Sequence, residues 1–300
     1  MLALMFHNPS PYILFPIRQC GRYLLFSACL FLTFLPSQIS FASGLRIVSL
    51  APSVTEWIYA LGLGHALVGV TEQCDFPAEA AKVAKTGSFM QTSLETVLMK
   101  KPTHVVAVDG IPVNLSKRLT DQGIRVHVLS VRRLNDFPEQ IVKLGEELGV
   151  RAEASGWADK MRKAFVRQKT PSGKAQERGS VLLLISPKPI YVASPESWLS
   201  DLFALAGWKN ALRNTRGTAA VGTEFQKISI EGALASGAKR WVLFADSTHA
   251  DKKVSESVAQ IFPNKKIPAG IELVVFPADV FTRPGPRLLS ALAMLGEENK

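Results

Sequence analysis

"SLETVLMKKPTHVVAVDG" occupies Ser93–Gly110, and "SIEGALASGAKRWVLFADS" occupies Ser229–Ser247. Each opens on a serine, an aliphatic residue and a glutamate, with Leu98 or Leu234 three positions beyond the acid. A short link follows, then an apolar strand ending in an aspartate. Serine is a residue type that caps a helix N-terminus, and an acid in the first turn complements the helix dipole. The strands are apolar on both faces, which is the pattern of a parallel sheet covered on both sides. One such unit stands in each half of the chain, at a separation far too long for a stacked repeat. The chain therefore reads as two related α/β lobes.

The flanking sequence extends both lobes. "RIVSLAPSVTEWIYALGLG" predicts a strand over Arg46–Leu50, a Pro-Ser turn, and a helix capped by Ser53, with Glu56 in its first turns and Gly62 at its end. "ALVGVT" and "LSKRLTDQGIRVHVLS" add a strand and a helix–Gly123–strand unit. "YALGLGHAL" and "FALAGWKNAL" echo one another across the halves. Between Asp136 and Lys169 the pattern is helical only. Phe137, Ile141, Leu144 and Leu148 share one face of a first helix that Gly149 stops. Ala154, Trp157, Met161 and Phe165 form the stripe of a second, and "TPSGKAQERGS" then breaks it. The fold class is α/β: two Rossmann-like lobes joined by a single long backbone helix, with a ligand cleft between them. The divisions fall at residues 43–150, 151–169 and 170–300.

Residues 1–42 are set apart by composition. They hold Arg18, Arg22, the run "LLFSACLFLTFL" and no acid, with Ser40 and Ala42 at the −3 and −1 places of a cleavage site. This is the order of a secretory signal peptide, and the apolar run is too short for a membrane span. A lipid anchor on Cys29 is a weaker reading, because the run continues past that cysteine. Cleavage would remove Cys20 and Cys29 and leave Cys74 without a disulfide partner, as a buried or a reactive thiol. The net charge of +10 is spread along the chain, with no basic tract of the kind that grips nucleic acid.

Enzyme signatures are missing. The sequence has no Gly-x-Ser-x-Gly, His-Glu-x-x-His, Cys-x-x-Cys or phosphate loop. "GLGHAL" half resembles a dinucleotide loop, but Leu67 stands where the third glycine belongs. His65, His104, His127 and His249 lack a partner at metal-ligand spacing, so no metal, cofactor or catalytic residue is expected. Loops after strands do carry binding residue types: Gln73, Asp75 and Phe76; Phe89 and Met90; Asp109; Tyr191; Phe225; Asp279, Phe281 and Arg283. "FTRPGPRLL", from Phe281, holds Arg283 and Arg287 around a stiff Pro-Gly-Pro corner.

Taken together, "RIVSLAPSVTEWIYALGLG", the paired Ser-x-Glu units, the long helix and "FTRPGPRLLSALAML" resemble the helical-backbone (class III) periplasmic binding proteins of ABC importers. The likeness runs from about residue 45 to the end and is greatest to the cobalamin binders, with haem and ferric-siderophore binders as relatives. It implies a monomer that binds no nucleic acid, carries a small molecule between its lobes and docks on a permease dimer through one surface glutamate per lobe. Those glutamates match Glu95 and Glu231, which otherwise read as ordinary helix-cap acids. Gln73, Phe89, Val108 and Phe225 stand where aromatic side chains surround the corrin, and Arg283 matches a cleft arginine. Asp109, Tyr191 and Asp279 complete the expected ligand set. On the cleft corner, Arg283 is expected to meet ligand and Arg287 to tie the last helix to its lobe. An exported esterase-like cleft enzyme is the rival from another class.

Overall fold

In the computed structural model, which describes residues 44–88, 91–167, 177–212, 224–245, 250–262, 264 and 266–297, the first lobe is built on an all-parallel sheet. Its strands are β1 (Ile47–Ser49), β2 (Leu67–Val70), β3 (His104–Val108) and β4 (Arg125–Leu129), in the order β2-β1-β3-β4. Parallel neighbours need crossovers rather than hairpins. Helices α1 (Pro52–Ala60), α2 (Leu94–Leu98) and α3 (Val113–Asp121) lie in those connections. The order reverses beside β1 and β3, and the loops leaving their carboxyl ends border the cleft, as the switch-point rule requires.

α1 corrects the sequence reading. Its N-cap is Ala51, with no side-chain cap, and Pro52 sits at the first helical position, where its missing N–H costs nothing. Ser53 lies inside the first turn, and Glu56 is 1% exposed rather than facing solvent near the helix dipole. Ser93 and Ser229 do cap their helices: their hydroxyls accept from the Thr96 and Gly232 backbone N–H groups at 3.2 and 3.1 Å.

α4 (Phe137–Glu147) and α5 (Arg151–Arg167) follow the first sheet and pack on one another. The expected end of α5 at Lys169 lies outside the described residues. Seventeen residues carry α5 roughly 25 Å. Its stripe faces inward: Ala154, Ala158, Met161 and Phe165 are buried. Trp157 packs edge-on against Trp57 at 5.7 Å and donates from Nε1 to the Ala60 carbonyl at 2.9 Å. The helix is thus fastened to the first lobe by both packing and a hydrogen bond.

The second sheet contains β5 (Gly179–Pro187), β6 (Ile190–Ala193), β7 (Trp208–Asn210), β8 (Phe225–Lys227), β9 (Arg240–Ala245) and β10 (Glu272–Pro277). Its order is β10-β9-β5-β6-β8, with β7 paired to β5. β10, β9, β5 and β7 run parallel, but β6 is antiparallel to β5 and β8 is antiparallel to β6. The second lobe is therefore a mixed-sheet relative of the first and not its copy. The cause is local: only Lys188 and Pro189 separate β5 from β6, which permits a hairpin and forbids a crossover. Helices α6 (Trp198–Leu205), α7 (Ile230–Ala235), α8 (Ala250–Ile261), α9 (Ala278–Phe281) and α10 (Leu288–Glu297) complete the lobe.

One apolar core joins the two sheets. It runs from Ile47 and Val106 through Phe137, Met161 and Phe165 to Leu183, Phe244 and the inner face of α10. Phe203, Phe244, Phe276 and Phe281 interlock within it, with neighbouring centroids 4.6–6.3 Å apart. Each large side chain so buried stabilises the fold by roughly 1.5–3 kcal/mol. Accordingly, Gly44–Lys300 forms one compact unit rather than two separable ones.

Candidate functional site

A cavity of about 340 Å³ lies where the sheet ends of the two lobes meet. The first lobe supplies Ala51–Val54 and Trp57 after β1, Val108 and Asp109 at the end of β3, and Leu129 and Val131 at β4. The second lobe supplies Trp198, Glu224 and Phe225, and the corner Thr282–Pro284. A second cavity of about 440 Å³ continues from Glu224 and Phe225 towards Ile185, Ser186 and Tyr191. The two form an extended slot with aromatic walls and few polar groups, which is the usual make-up of a small-molecule site. A larger depression of about 1060 Å³ beside α5 is less suited to a ligand. Its Arg133 already forks onto Asp201 at 2.8 and 2.5 Å, and the Leu134 N–H also donates to that carboxylate at 3.0 Å.

The corner "FTRPGPRLL" is held by charges from the first lobe. Arg283 donates to both oxygens of Asp75, at 2.5 and 3.2 Å, and lies 3.8 Å from Glu56. Arg287 donates to Glu56 through Nε at 3.0 Å and Nη2 at 2.6 Å, and to Asp279 at 2.5 Å. Its guanidinium also covers the Phe76 ring, 4.3 Å from the centroid. The Trp57 indole donates to the Pro284 carbonyl at 3.0 Å. The hydrogen bonds from Arg283 hold the Asp75 carboxyl below the usual carboxylate range. Arg287 therefore reaches beyond its own lobe, where the sequence placed only a tie within it.

Of the sequence-predicted ligand residues, Asp109, Phe225 and Arg283 line the first cavity, and Tyr191 lines the second. Ser130 donates to Asp109 at 2.6 Å and holds that carboxylate at the rim. Gln73 is exposed on the turn after β2 and does not contribute to either wall. Asp279 is drawn onto Arg287 and likewise stands outside both linings. Phe89 and His249 lie outside the described residues, as do residues 1–43. The sequence reading missed Glu224, Trp57 and Trp198. Glu224 is pushed up to about 7 by burial, with a further push from the Asp109 charge and an opposing hydrogen bond from Trp198.

Glu95 and Glu231 are exposed on the first turns of α2 and α7. Their carboxyls are held low, first by their own backbone N–H groups and then by the capping Ser93 or Ser229 hydroxyl. Cys74 is buried and bonded to Thr55 and Thr71 hydroxyls at 3.1 Å, so the inert reading of this thiol fits. His104 stacks on His127 at 5.3 Å, and His127 pairs with Glu147. Among the described residues there is no group of three His, Cys, Asp or Glu side chains able to hold a metal ion. No helix among them is long and apolar enough to cross a membrane.

Comparison with known proteins gives a consistent picture. The sequence profile of the periplasmic binding protein family matches residues 47–272. The vitamin B12-binding protein of Vibrio parahaemolyticus is 27% identical over 269 residues, which covers 88% of this chain and 93% of that one. An ABC transporter substrate-binding lipoprotein of Bacillus subtilis is 34% identical over 182 residues, 57% of each chain. Among solved structures, a periplasmic heme-binding protein from Pseudomonas aeruginosa superposes with a TM-score of 0.68 at 26% identity, covering 84% of this chain and 91% of that one. The periplasmic vitamin B12-binding protein of Vibrio cholerae gives 0.65 at 23% identity, covering 83% and 94%, a likeness of fold.

Proposed function

Since this chain belongs to the periplasmic binding protein family of ABC importers, we propose that it captures cobalamin or a related corrinoid and delivers it to a permease dimer in the inner membrane. The observation that carries this reading is the slot between the lobes. It is long, walled by Trp198 and Phe225, and edged by the acceptors Asp109 and Glu224. A corrin is a large macrocycle with apolar faces and a rim of carboxamides. Its faces suit the rings, and its rim N–H groups suit the carboxylates. The full-length likeness to vitamin B12-binding relatives supports the same ligand.

The protein performs no chemistry in this scheme. Ligand enters the slot, the loaded protein docks through Glu95 and Glu231, and the permease separates the lobes to release the cargo. Residues 1–42 direct export to the periplasm. Haem or a ferric siderophore is the second reading, favoured by the exposed Tyr191 phenol beside Phe225, an oxygen donor suited to ferric iron. Incubation with cyanocobalamin, hemin or a ferric hydroxamate, then desalting and an absorbance spectrum, separates the two. Retained corrinoid supports the first reading. Retention of either iron compound without corrinoid replaces it.

A further inference from the structure

We propose that Glu224 is a selectivity residue, excluding from the cleft any macrocycle whose rim carries negative charge. The inference deepens the ligand-binding reading above and rests on it. Three observations meet at this position. Glu224 lines both cavities, so a ligand long enough to fill the slot lies beside it. Asp109 lines the same first cavity from the opposite lobe, and its charge disfavours a charge on Glu224. The third observation concerns Arg283, the basic residue among the described lining of the first cavity. Its guanidinium is already engaged by both oxygens of Asp75 and flanked by Glu56.

Above about pH 7, where Glu224 is ionised, an anionic rim group would therefore meet two carboxylates and an arginine whose charge is already matched. Bringing like charges together in a partly desolvated slot costs far more than in water. Carboxamides pay no such penalty, and their N–H groups pair with a carboxylate. The Trp198 indole, donating to Glu224, holds the acid in place instead of leaving it free to swing into solvent. Selectivity of this kind works by repelling the wrong ligand as much as by holding the right one.

The test compares macrocycles that share a ring and differ chiefly in rim charge, with affinity read at pH 8 from quenching of tryptophan fluorescence. Dicyanocobinamide and dicyanocobyrinic acid share one corrin, the first rimmed with amides and the second with carboxylates. Hemin and its dimethyl ester make the same comparison on a porphyrin. The wild-type protein is expected to prefer the uncharged member of whichever pair it binds by at least tenfold. Glu224→Gln should narrow that ratio about tenfold, mainly by improving the acid. Phe225→Ala should weaken both members and leave the ratio alone. An unchanged ratio in Glu224→Gln overturns the selectivity role while leaving the ligand assignment standing. Selectivity seen with the porphyrin pair, and no binding of either corrin, upholds Glu224 and overturns the corrinoid. Binding of no macrocycle overturns both.

Discussion

Arg287 and Glu56 stand 231 positions apart in the chain and meet in a two-point ion pair, Nε to Oε2 at 3.0 Å and Nη2 to Oε1 at 2.6 Å. Glu56 is 1% exposed, so its carboxylate exchanges water for the Arg287 guanidinium, with Arg283 a further 3.8 Å neighbour. Removing one member of a buried pair leaves the other charged and dry, which costs about 3–5 kcal/mol. Arg287→Ala is expected to lower unfolding stability in urea by that order. Arg283→Ala should cost much less, because Asp75 is 63% exposed and regains water. Equal losses from the two substitutions would remove the buried pair from the account.

For ligand the order is reversed. Arg283 lines the cavity, and Arg287 is not in its lining. Arg283→Ala is expected to weaken capture more than Arg287→Ala when affinity is measured on folded protein by titration calorimetry. The opposite ranking would exchange their roles.

Gly285 is required by space. A Cβ there would stand 2.7 Å from Glu56 Oε2, inside contact distance of the pair just described. Gly285→Ala is expected to destabilise by about 1–3 kcal/mol through overpacking. A wild-type melting temperature in this variant would mean that the corner has slack.

The raised pKa of Glu224 has a thermodynamic consequence with a definite sign. The folded protein holds this proton to about pH 7, whereas the unfolded chain releases it near 4.5. Between those values the folded state binds more protons, so stability falls as pH rises through the window and levels off above it. Glu224→Gln removes that slope. Its melting temperature relative to wild type should be higher at pH 8 than at pH 5, and a constant difference would show an ordinary acid.

Docking is tested separately from capture. Glu95→Ala combined with Glu231→Ala should leave ligand affinity intact, since neither acid lines the slot, and abolish stimulation of permease ATPase. Undiminished stimulation would return both residues to helix capping.

Much of this architecture is legible in the residues because it is local. The Ser93 and Ser229 caps, the inward stripe of α5 and the all-parallel first sheet each follow from neighbours in sequence. The antiparallel β6 is not anticipated: the expectation of two like lobes passes over the short Lys188–Pro189 turn between two apolar runs, which leaves no room for a crossover. Glu56 misled because an acid early in a helix is commonplace at the surface, and its partner is 231 positions away. The pairing of Arg283 with Asp75 is hidden for the same reason, at 208 positions. Glu224 has no local signal: beside Phe225 it looks like any loop acid, and only the meeting of two lobes turns it into part of a wall.

The buried cluster shared by both sheets bears on how this protein comes apart. Phe137, Phe165 and Leu292 belong to the same buried cluster as Ile47 and Leu183, so neither sheet can shed its packing without exposing the other's. Unfolding should then be one cooperative event, with a single calorimetric peak whose enthalpy matches the van't Hoff value. A chain cut between α5 and β5 would divide that shared cluster and leave each piece only the smaller cluster of its own lobe intact.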